Sequence, residues 1–378
     1  MGSNSLSDPI PTTPSILFIT ANLPTPEDEA AIWIGKIEAY LTDPLNAFRA
    51  RGAAVTLRTF QDPALTAAAI ASTYTHVLFL AVDKYIHHMP AFTAFLDATL
   101  PEARRLNPRL RIHNPAAVVR WNANKTYLAE LQALDTAGFH VPRTAFLDPA
   151  TTDAPALAAH LAADARVAGN PSTPVVLKPS IAASGHSTHL LRSPLALTAD
   201  DVAALESMRA AAAATQQQMG AMLLVQEYLP RVAAQDGADG SGGEWSMIVV
   251  NGRLTHAVRK RPQAGEFRIN SAFKGVWEPM AAEGDARVPE CGRVVAGRVW
   301  EWLVGKERVL KGERGETEVE TTELLYARVD GVVGEDGEFV LMEVELIEPW
   351  LWLLDQEGHP GREGLKVFVD AVLDDGGL

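Results

Sequence analysis

Apolar residues cluster in near-continuous runs in the first third of the chain and alternate with polar ones in the last third. Ser15-Ile-Leu-Phe-Ile-Thr20, residues 53–60 and residues 76–81 are of the first kind, the pattern of strands buried on both faces. Residues 36–51 read as a helix that stops at Arg51-Gly52, with glycine where helix ends favour it. A short helix is expected between the second and third strands. This order predicts an open α/β unit with a parallel sheet. Arg111-Ile-His-Asn-Pro115 reads as a linker strand and a boundary.

Further along, residues 122–134 predict one helix closed by Gly138, residues 175–179 a strand, and the Ala/Gln-rich residues 198–220 a surface helix. Residues 223–229 read as a strand and 235–243 as a polar, flexible loop. Residues 245–250 and 254–259 form a hairpin around Asn251-Gly252, a strong turn pair. A helix over 288–304, a charged solvated loop over 306–322 and a last helix near 361–373 complete the pass.

The alternating part is best seen in Leu341-Met-Glu-Val-Glu-Leu-Ile-Glu-Pro-Trp350. Strand alternation places Met342, Val344 and Leu346 on one face and Leu341, Glu343 and Glu345 on the other. Upstream, Asp336-Gly337 is the preferred dipeptide of a two-residue hairpin turn. That turn sets Glu335 against Glu338, Asp330 against Glu343 and Arg328 against Glu345. Three carboxylates and a guanidinium then share one face at a spacing of about 5 Å. The plain reading is a half-solvated edge strand; the sharper one is a Mg²⁺ site, since hard oxygen ligands suit that ion beside phosphates.

Composition narrows the classes. The 378 residues carry a net charge of −14 and a single cysteine, Cys291. The length allows two or three domains. The acidic balance speaks against nucleic-acid binding, no apolar run is long enough to span a membrane, and one cysteine leaves no internal disulfide and fits a reducing, cytoplasmic setting. Residues 1–14 are polar and Pro-rich, unlike a signal or transit peptide.

A nucleotide would need a phosphate cradle, and neither GxGxxG after the first strand nor GxxxxGK[ST] is present. The remaining candidates are dispersed. Lys178 ends a short strand ahead of the small-residue loop Ser184-Gly185-His186-Ser187-Thr188, whose backbone N–H groups and hydroxyls suit phosphate. Lys125 stands alone on its predicted helix. His256, Lys260, Arg261 and Arg268 form a basic cluster, either a solvated face or a clamp on phosphoryl charge.

Taken in order, these segments resemble one family. Asn114 with Asn122-x-x-Lys125, V-x-L-K-P at Lys178, the small-residue loop, Gln226-Glu227-Tyr228-Leu229, Gly243-Glu244-x-Ser246, His256 to Pro262, Phe267-Arg268, and Arg328-x-Asp330 followed by Glu343-x-Glu345 are similar to the ATP-grasp ligases, in their glutathione synthetase-like and RimK-like branch. Arg120-Trp-Asn-x-Asn-Lys125 and the Glu-Leu-Ile-Glu-Pro stretch look similar to the D-cycloserine-biosynthesis members. The resemblance covers about residues 110–355. It implies an α/β (α+β) ATP-grasp fold: tail 1–14, an open parallel α/β domain at 15–117, a central lid domain at 118–228 and a C-terminal domain with the metal site at 229–378.

The resemblance also implies roles. Lys125 and Lys178 would hold ATP phosphates, with Ser184, Gly185, His186, Ser187 and Thr188 closing over them. Gln226, Glu227, Tyr228 and Leu229 would form the adenine hinge, with Glu227 or a nearby acid on the ribose side and Glu244 also toward ATP. Asp330, Glu343 and Glu345 would bind two Mg²⁺ ions, and Arg268, Arg328 and Lys260 would act on the transferring phosphoryl group. The activity implied is ATP-dependent joining of a small-molecule carboxylate to an amine in secondary metabolism. Dimers and tetramers are common in the branch, so a homodimer is among its implications. Two departures stand out. The loop is poor in glycine, and Trp350 and Trp352 follow Glu348-Pro349, where they line an acceptor pocket or simply pack.

Overall fold

The computed structural model describes residues 13–20, 42–82, 85–134, 140–182, 187–233, 242–263, 275–315 and 323–374. Three sheets organise them. The first is parallel, with strands β1 (Ser15–Thr20), β2 (Ala54–Thr59), β3 (His76–Ala81) and β4 (Arg111–His113) in the order 2-1-3-4. Leu17, Ile19, Val77 and Phe79 pack on α2 (Ala67–Thr73), α3 (Met89–Ala94) and α4 (Leu100–Leu106), following α1 (42–50) in the chain. Ile16, Phe18, Leu78 and Leu80 fill the opposite face. Burial on both faces is why these strands lack alternation. Arg111–His113, read as a linker strand, is the fourth strand of this sheet. Gly52 ends α1 at φ +84°, as its place in the sequence implied.

The predicted helix over 122–134 is two helices, α5 (Ala116–Asn122) and α6 (Tyr127–Ala133). Lys125 lies in the break between them. Its backbone N–H donates to Ser180 O at 2.7 Å, tying the break to the second sheet. That sheet is antiparallel: β5 (Thr144–Leu147), β6 (Val175–Pro179), β7 (His189–Leu191) and β8 (Leu223–Glu227), in the order 5-8-6-7. Helices α7 (Ala154–Ala163), α8 (Ala165–Gly169) and α9 (Ala199–Met219) cover the face bearing Val175, Leu177, Leu223 and Val225.

The third sheet, also antiparallel, orders β9 (Glu244–Val250), β10 (Arg253–Arg261), β11 (Val276–Ala281), β12 (Tyr326–Val333) and β13 (Phe339–Glu345) as 11-10-9-12-13. The β9–β10 turn has Asn251 and Gly252 both at positive φ, the primed turn that its dipeptide favours. Helix α10 (Glu290–Glu313) and helix α6 pack on the face carrying Met247, Val249, Val329 and Val344. Helix α11 (Gly361–Asp374) closes the chain. The charged stretch from Lys306 is thus not a solvated loop. It continues α10 to Glu313, and residues 316–322 lie outside those described. A buried network explains the extra turns: Lys311 Nζ lies 2.7 Å from Glu307 Oε1 and 2.8 Å from Glu323 Oε2.

Two histidines, His76 half-buried and His256 fully buried, give the fold a pH signature. Burial, with His113 and Arg111 adding to it, lowers His76 from 6.5 to about 3. Burial likewise lowers His256 to about 4, although its Nε2–H donates to Leu351 O at 2.8 Å. Both are neutral in the fold and titrate near 6.5 once unfolded, so between those values the unfolded chain binds more protons and stability rises with pH. The melting temperature is expected to be level above pH 7 and to fall below pH 6.5. Each histidine contributes a loss of about 2 kcal/mol by pH 5. His256→Gln should remove about half of that slope in a melting series from pH 8 to 5; an unchanged slope would contradict this origin.

Candidate active site

Residues opposed across antiparallel strands share a face. Ser246 opposes Asp330, which opposes Glu343; Arg328 opposes Glu345; Glu244 opposes Lys260. The face of the third sheet away from α10 therefore collects Glu244, Ser246, Lys260, Arg328, Asp330, Glu343 and Glu345.

The hairpin reaches this register by a route other than the two-residue turn. Gly334 N–H donates to Glu338 O at 2.8 Å and Gly337 N–H to Gly334 O at 3.1 Å, with Gly337 at φ +84°. The loop is thus three residues, and the pairing beside it runs Val333 to Phe339 and Gly331 to Leu341. A bulge at Met342 then restores Asp330 opposite Glu343. It also reverses the alternation. Simple alternation put Leu341 on the face of Glu343; instead Leu341 packs in the core with Val344. Gly331 faces Phe339 so closely that a Cβ would lie 2.4 Å from its ring, which accounts for glycine beside the bulge. β13 is an edge strand, as the plain reading held, yet its two glutamate side chains are only 27% and 20% exposed.

Every carboxylate on this face meets a cation. Arg328 Nε donates to Asp330 Oδ2 at 2.9 Å, and Ser246 Oγ donates to Asp330 Oδ1 at 2.5 Å. Lys260 Nζ pairs with Glu244 and lies 3.7 Å from Asp330. Arg328 also reaches Glu345 at 3.8 Å. From outside the sheet, Lys125 Nζ donates to Ala182 O at 2.7 Å and pairs with Glu343 at 2.8 Å. Lys178 Nζ donates to Gln226 Oε1 at 2.8 Å, and Gln226 in turn donates to Thr144 Oγ1 at 2.9 Å.

The charge balance is uneven. Burial pushes Glu345 up to about 7, with Glu343 adding to it and Arg328 opposing. Burial also pushes Glu343 upward, but Lys125 and Lys178 together hold it below the ordinary value. Asp330 is likewise held down by Arg328 and Lys260 against its burial. Glu244 is raised, its burial outweighing Lys260. Lys178 falls to about 8 because burial and Lys125 outweigh Glu343. Its hydrogen-bond partner is a neutral amide, and among the described residues no carboxylate is in contact with it.

Several site candidates sit differently from their implied places. β8 alternates, so Gln226 faces Lys178, whereas the Glu227 carboxylate is on the helix-covered face, 3.2 Å from Arg166 Nη1. Its side chain is turned away from any ribose beside Lys178, leaving only its backbone to the hinge. Tyr228 is half-buried, and Leu229 packs with Val340 and Met342 around buried Val232 and Val332, against the β12–β13 hairpin. Ser187 is exposed at φ +60° and Thr188 half-buried. Of the described residues of the basic cluster, only Lys260 enters the site. His256 is buried against Leu351, and Arg261 lies 3.7 Å from Glu278. Ser184, Gly185, His186 and Arg268 lie outside the described residues. Trp352 is buried and Trp350 half-buried, their rings 6.0 Å apart between centroids.

Three contributors were missed as functional groups. Ser246 on Asp330 is one. Asn114 and Asn122 are the others, and they peg the end of β13. Asn122 donates to Val344 O at 2.8 Å and accepts from Leu346 N–H at 3.0 Å. Asn114 donates to Leu346 O at 2.8 Å and to Tyr326 O at 3.0 Å. Only their recurrence in the motif order signalled them.

The donor set is all oxygen, as a hard divalent ion requires. As placed, however, no three histidine, cysteine, aspartate or glutamate side chains among the described residues stand together closely enough to hold a metal ion. Each carboxylate is turned to its cation, and Glu343 would have to leave Lys125 to share an ion with Asp330.

No family model and no curated protein matches the chain. Solved structures do. One titled D-cycloserine synthetase DcsG superposes with a TM-score of 0.63 at 20% identity, covering 94% of this chain and 99% of that one. D-alanyl-alanine synthetase A from Vibrio cholerae gives 0.57 at 13% identity, over 96% and 98%. D-alanine–D-alanine ligase from Bacillus anthracis gives 0.52 at 12% identity, over 96% and 100%. Two antiparallel sheets that close on a polar cleft, behind a parallel α/β sheet, are what the chain shares with these ligases over nearly its whole length: it has the ATP-grasp fold.

Proposed function

We propose that the protein is an ATP-dependent ligase that joins a carboxylate to an amine and releases ADP and phosphate. The observation that carries this is the convergence of Lys125 and Lys178 on Glu343 across the cleft between the two antiparallel sheets. Phosphates need cations, a divalent ion needs carboxylates, and here both sets meet at one point. Lys125 and Lys178 bind the ATP phosphates, Gln226 and the backbone through Leu229 hold the base, and Asp330, Glu343 and Glu345 hold two Mg²⁺ ions. Mg²⁺ neutralises charge on the phosphates and the oxygens around them.

Lys125 and Glu343 now neutralise one another. When phosphates take Lys125, Glu343 is freed toward the metal, so the site exchanges partners without exposing a bare charge. Arg328, fixed by Asp330, and Lys260, fixed by Glu244, present positive charge to the transferring phosphoryl group. The substrate carboxylate attacks the γ-phosphorus to give an acyl phosphate and ADP. An amine then attacks the acyl carbon and phosphate leaves. The chain's own part is positioning and charge; no covalent enzyme nucleophile is required.

The test is ADP and phosphate release from Mg-ATP with pooled amino acids and small carboxylic acids, with new masses followed in the same samples. A dehydrated conjugate is expected. A phosphorylated product without conjugate would replace the ligase by a kinase, and ATP binding without turnover by a nucleotide-binding protein. In the same assay Lys178→Met should raise KM for ATP by roughly tenfold or more, the loss of a charged hydrogen bond worth about 1.5–3 kcal/mol. An unchanged KM would remove Lys178 from the phosphate site.

A further inference from the structure

The two lysines are held by acceptors of different kinds. Lys125 Nζ donates to a backbone carbonyl, Ala182 O at 2.7 Å, whose direction the chain itself sets. Lys178 Nζ donates at 2.8 Å to a side-chain amide, Gln226 Oε1. An amide can turn end for end. Turned, it would point its own N–H groups at the ammonium, donor against donor. The hold on Lys178 therefore depends on whatever fixes the amide.

The partner on its other end is Thr144. β8 lies between β5 and β6, where Gln226 opposes Thr144 on one side and Val176 on the other, and Val176 shares its face with Lys178. The Thr144 hydroxyl donates to Pro142 O at 2.9 Å and accepts from Gln226 Nε2 at 2.9 Å. A hydroxyl has one proton. With that proton given to Pro142 O, its oxygen accepts, so the amide turns its N–H end to Thr144 and its oxygen to Lys178. The donors then run in one direction, from Lys178 through Gln226 and Thr144 to Pro142 O. Thr144 and Gln226 are 6% and 4% exposed, so bulk water does not stand in for a lost member of the row. The far end is anchored as well, since Thr144 N–H donates to Gln132 Oε1 of α6 at 2.9 Å.

We propose that Thr144 is a positioning residue for nucleotide binding: its hydroxyl sets the Gln226 amide so that the amide oxygen holds the Lys178 ammonium for the ATP phosphates. Thr144 stands one strand beyond Gln226 and acts on the nucleotide only through it. The proposal rests on the reading of Lys178 as a phosphate-binding group and adds what aims it.

Mg-ADP is titrated into the full chain and its variants, well below their melting range. Thr144→Val fills the same space, suits a strand and lacks the hydroxyl; Thr144→Ser keeps it. Thr144→Val is expected to weaken Mg-ADP about three- to tenfold and Thr144→Ser less than about twofold. Gln226→Met, which removes the amide and leaves Thr144, should weaken it at least as much as Thr144→Val. In a Lys178→Met background Thr144→Val should add less than about twofold, because its effect passes through the lysine. In turnover the loss should appear in KM for ATP, with kcat within about twofold of the wild type. Wild-type affinity in Thr144→Val or in Gln226→Met overturns the proposal. So does an equal loss with and without Lys178, which would be a general loosening of the sheet, or a Thr144→Ser variant as weak as the valine one. The expected pattern without ADP release in the turnover assay would overturn the ligase reading and leave the role of Thr144 standing; a wild type that binds no Mg-ADP overturns both.

Discussion

Glu343→Gln lowers ADP release from Mg-ATP by about a thousandfold or more at saturating substrates, and the variant still folds. Glu343 joins the carboxylates proposed to hold metal to the lysines proposed to hold phosphate, since it opposes Asp330 and pairs with Lys125 at 2.8 Å. The amide keeps the shape and removes the charge. One preorganised charged group in a water-poor site is worth about 10²–10³ in rate, and a metal ligand adds the ion's own contribution. Folding suffers less, because Lys125 retains Ala182 O and the Glu343 side chain is 27% exposed. Asp330→Asn is the harsher change. Its side chain is 5% exposed, and both Arg328 and Lys260 would lose a partner, a loss of about 3–5 kcal/mol for a broken buried pair. Glu343→Gln is therefore the variant in which activity and stability separate. Turnover at the wild-type rate with an unchanged melting temperature would remove the metal assignment.

The way this site is encoded explains what could be read in advance. The pairs Asp330–Glu343 and Arg328–Glu345 follow from strand alternation and a turn, both local properties of the sequence. The turn was misplaced by one residue, and the pairs still formed because a bulge at Met342 absorbs the difference. Bulges depend on what the extra residue packs against, which local pattern does not hold. The parallel sheet was legible from its apolar runs, but three-residue β4 carries too little pattern to show that its strand joins that sheet. The break between α5 and α6 was invisible because Asn122 to Lys125 contains no proline or glycine. What breaks the helix is tertiary: Lys125 N–H is held by Ser180 O and Asn122 by β13. The extension of α10 was hidden for a related reason, since its charged residues looked solvated until Glu323 from another segment buried them. Alternation did carry the side of Glu227. In β8 the residues at 223, 225 and 227 share the helix-covered face, so a strand reading alone sets that carboxylate opposite Gln226.

Asn114→Ala costs the fold about 4 kcal/mol and disables the site along with it. Asn114 is fully buried, and its amide serves four backbone groups: it donates to Tyr326 O and Leu346 O and accepts from Leu325 N–H at 2.8 Å and Tyr326 N–H at 3.3 Å. Alanine leaves these groups in a dry place, at about 1–3 kcal/mol for each that finds no substitute. A drop of roughly 10 °C in melting temperature follows for a chain of this size. The functional loss has a separate cause. Leu346 follows Glu345 directly, so freeing its carbonyl loosens a predicted metal ligand. ADP release should therefore fall even well below the melting range. Asn114→Asp distinguishes the two halves of the peg. Its carboxylate still accepts from Leu325 N–H and Tyr326 N–H but cannot donate to the two carbonyls, and its charge is buried against them. It should be at least as destabilising as alanine, which rules out the lost acceptor as the main term. A melting shift under about 2 °C for Asn114→Ala would mean that β12 and β13 hold the site without this residue.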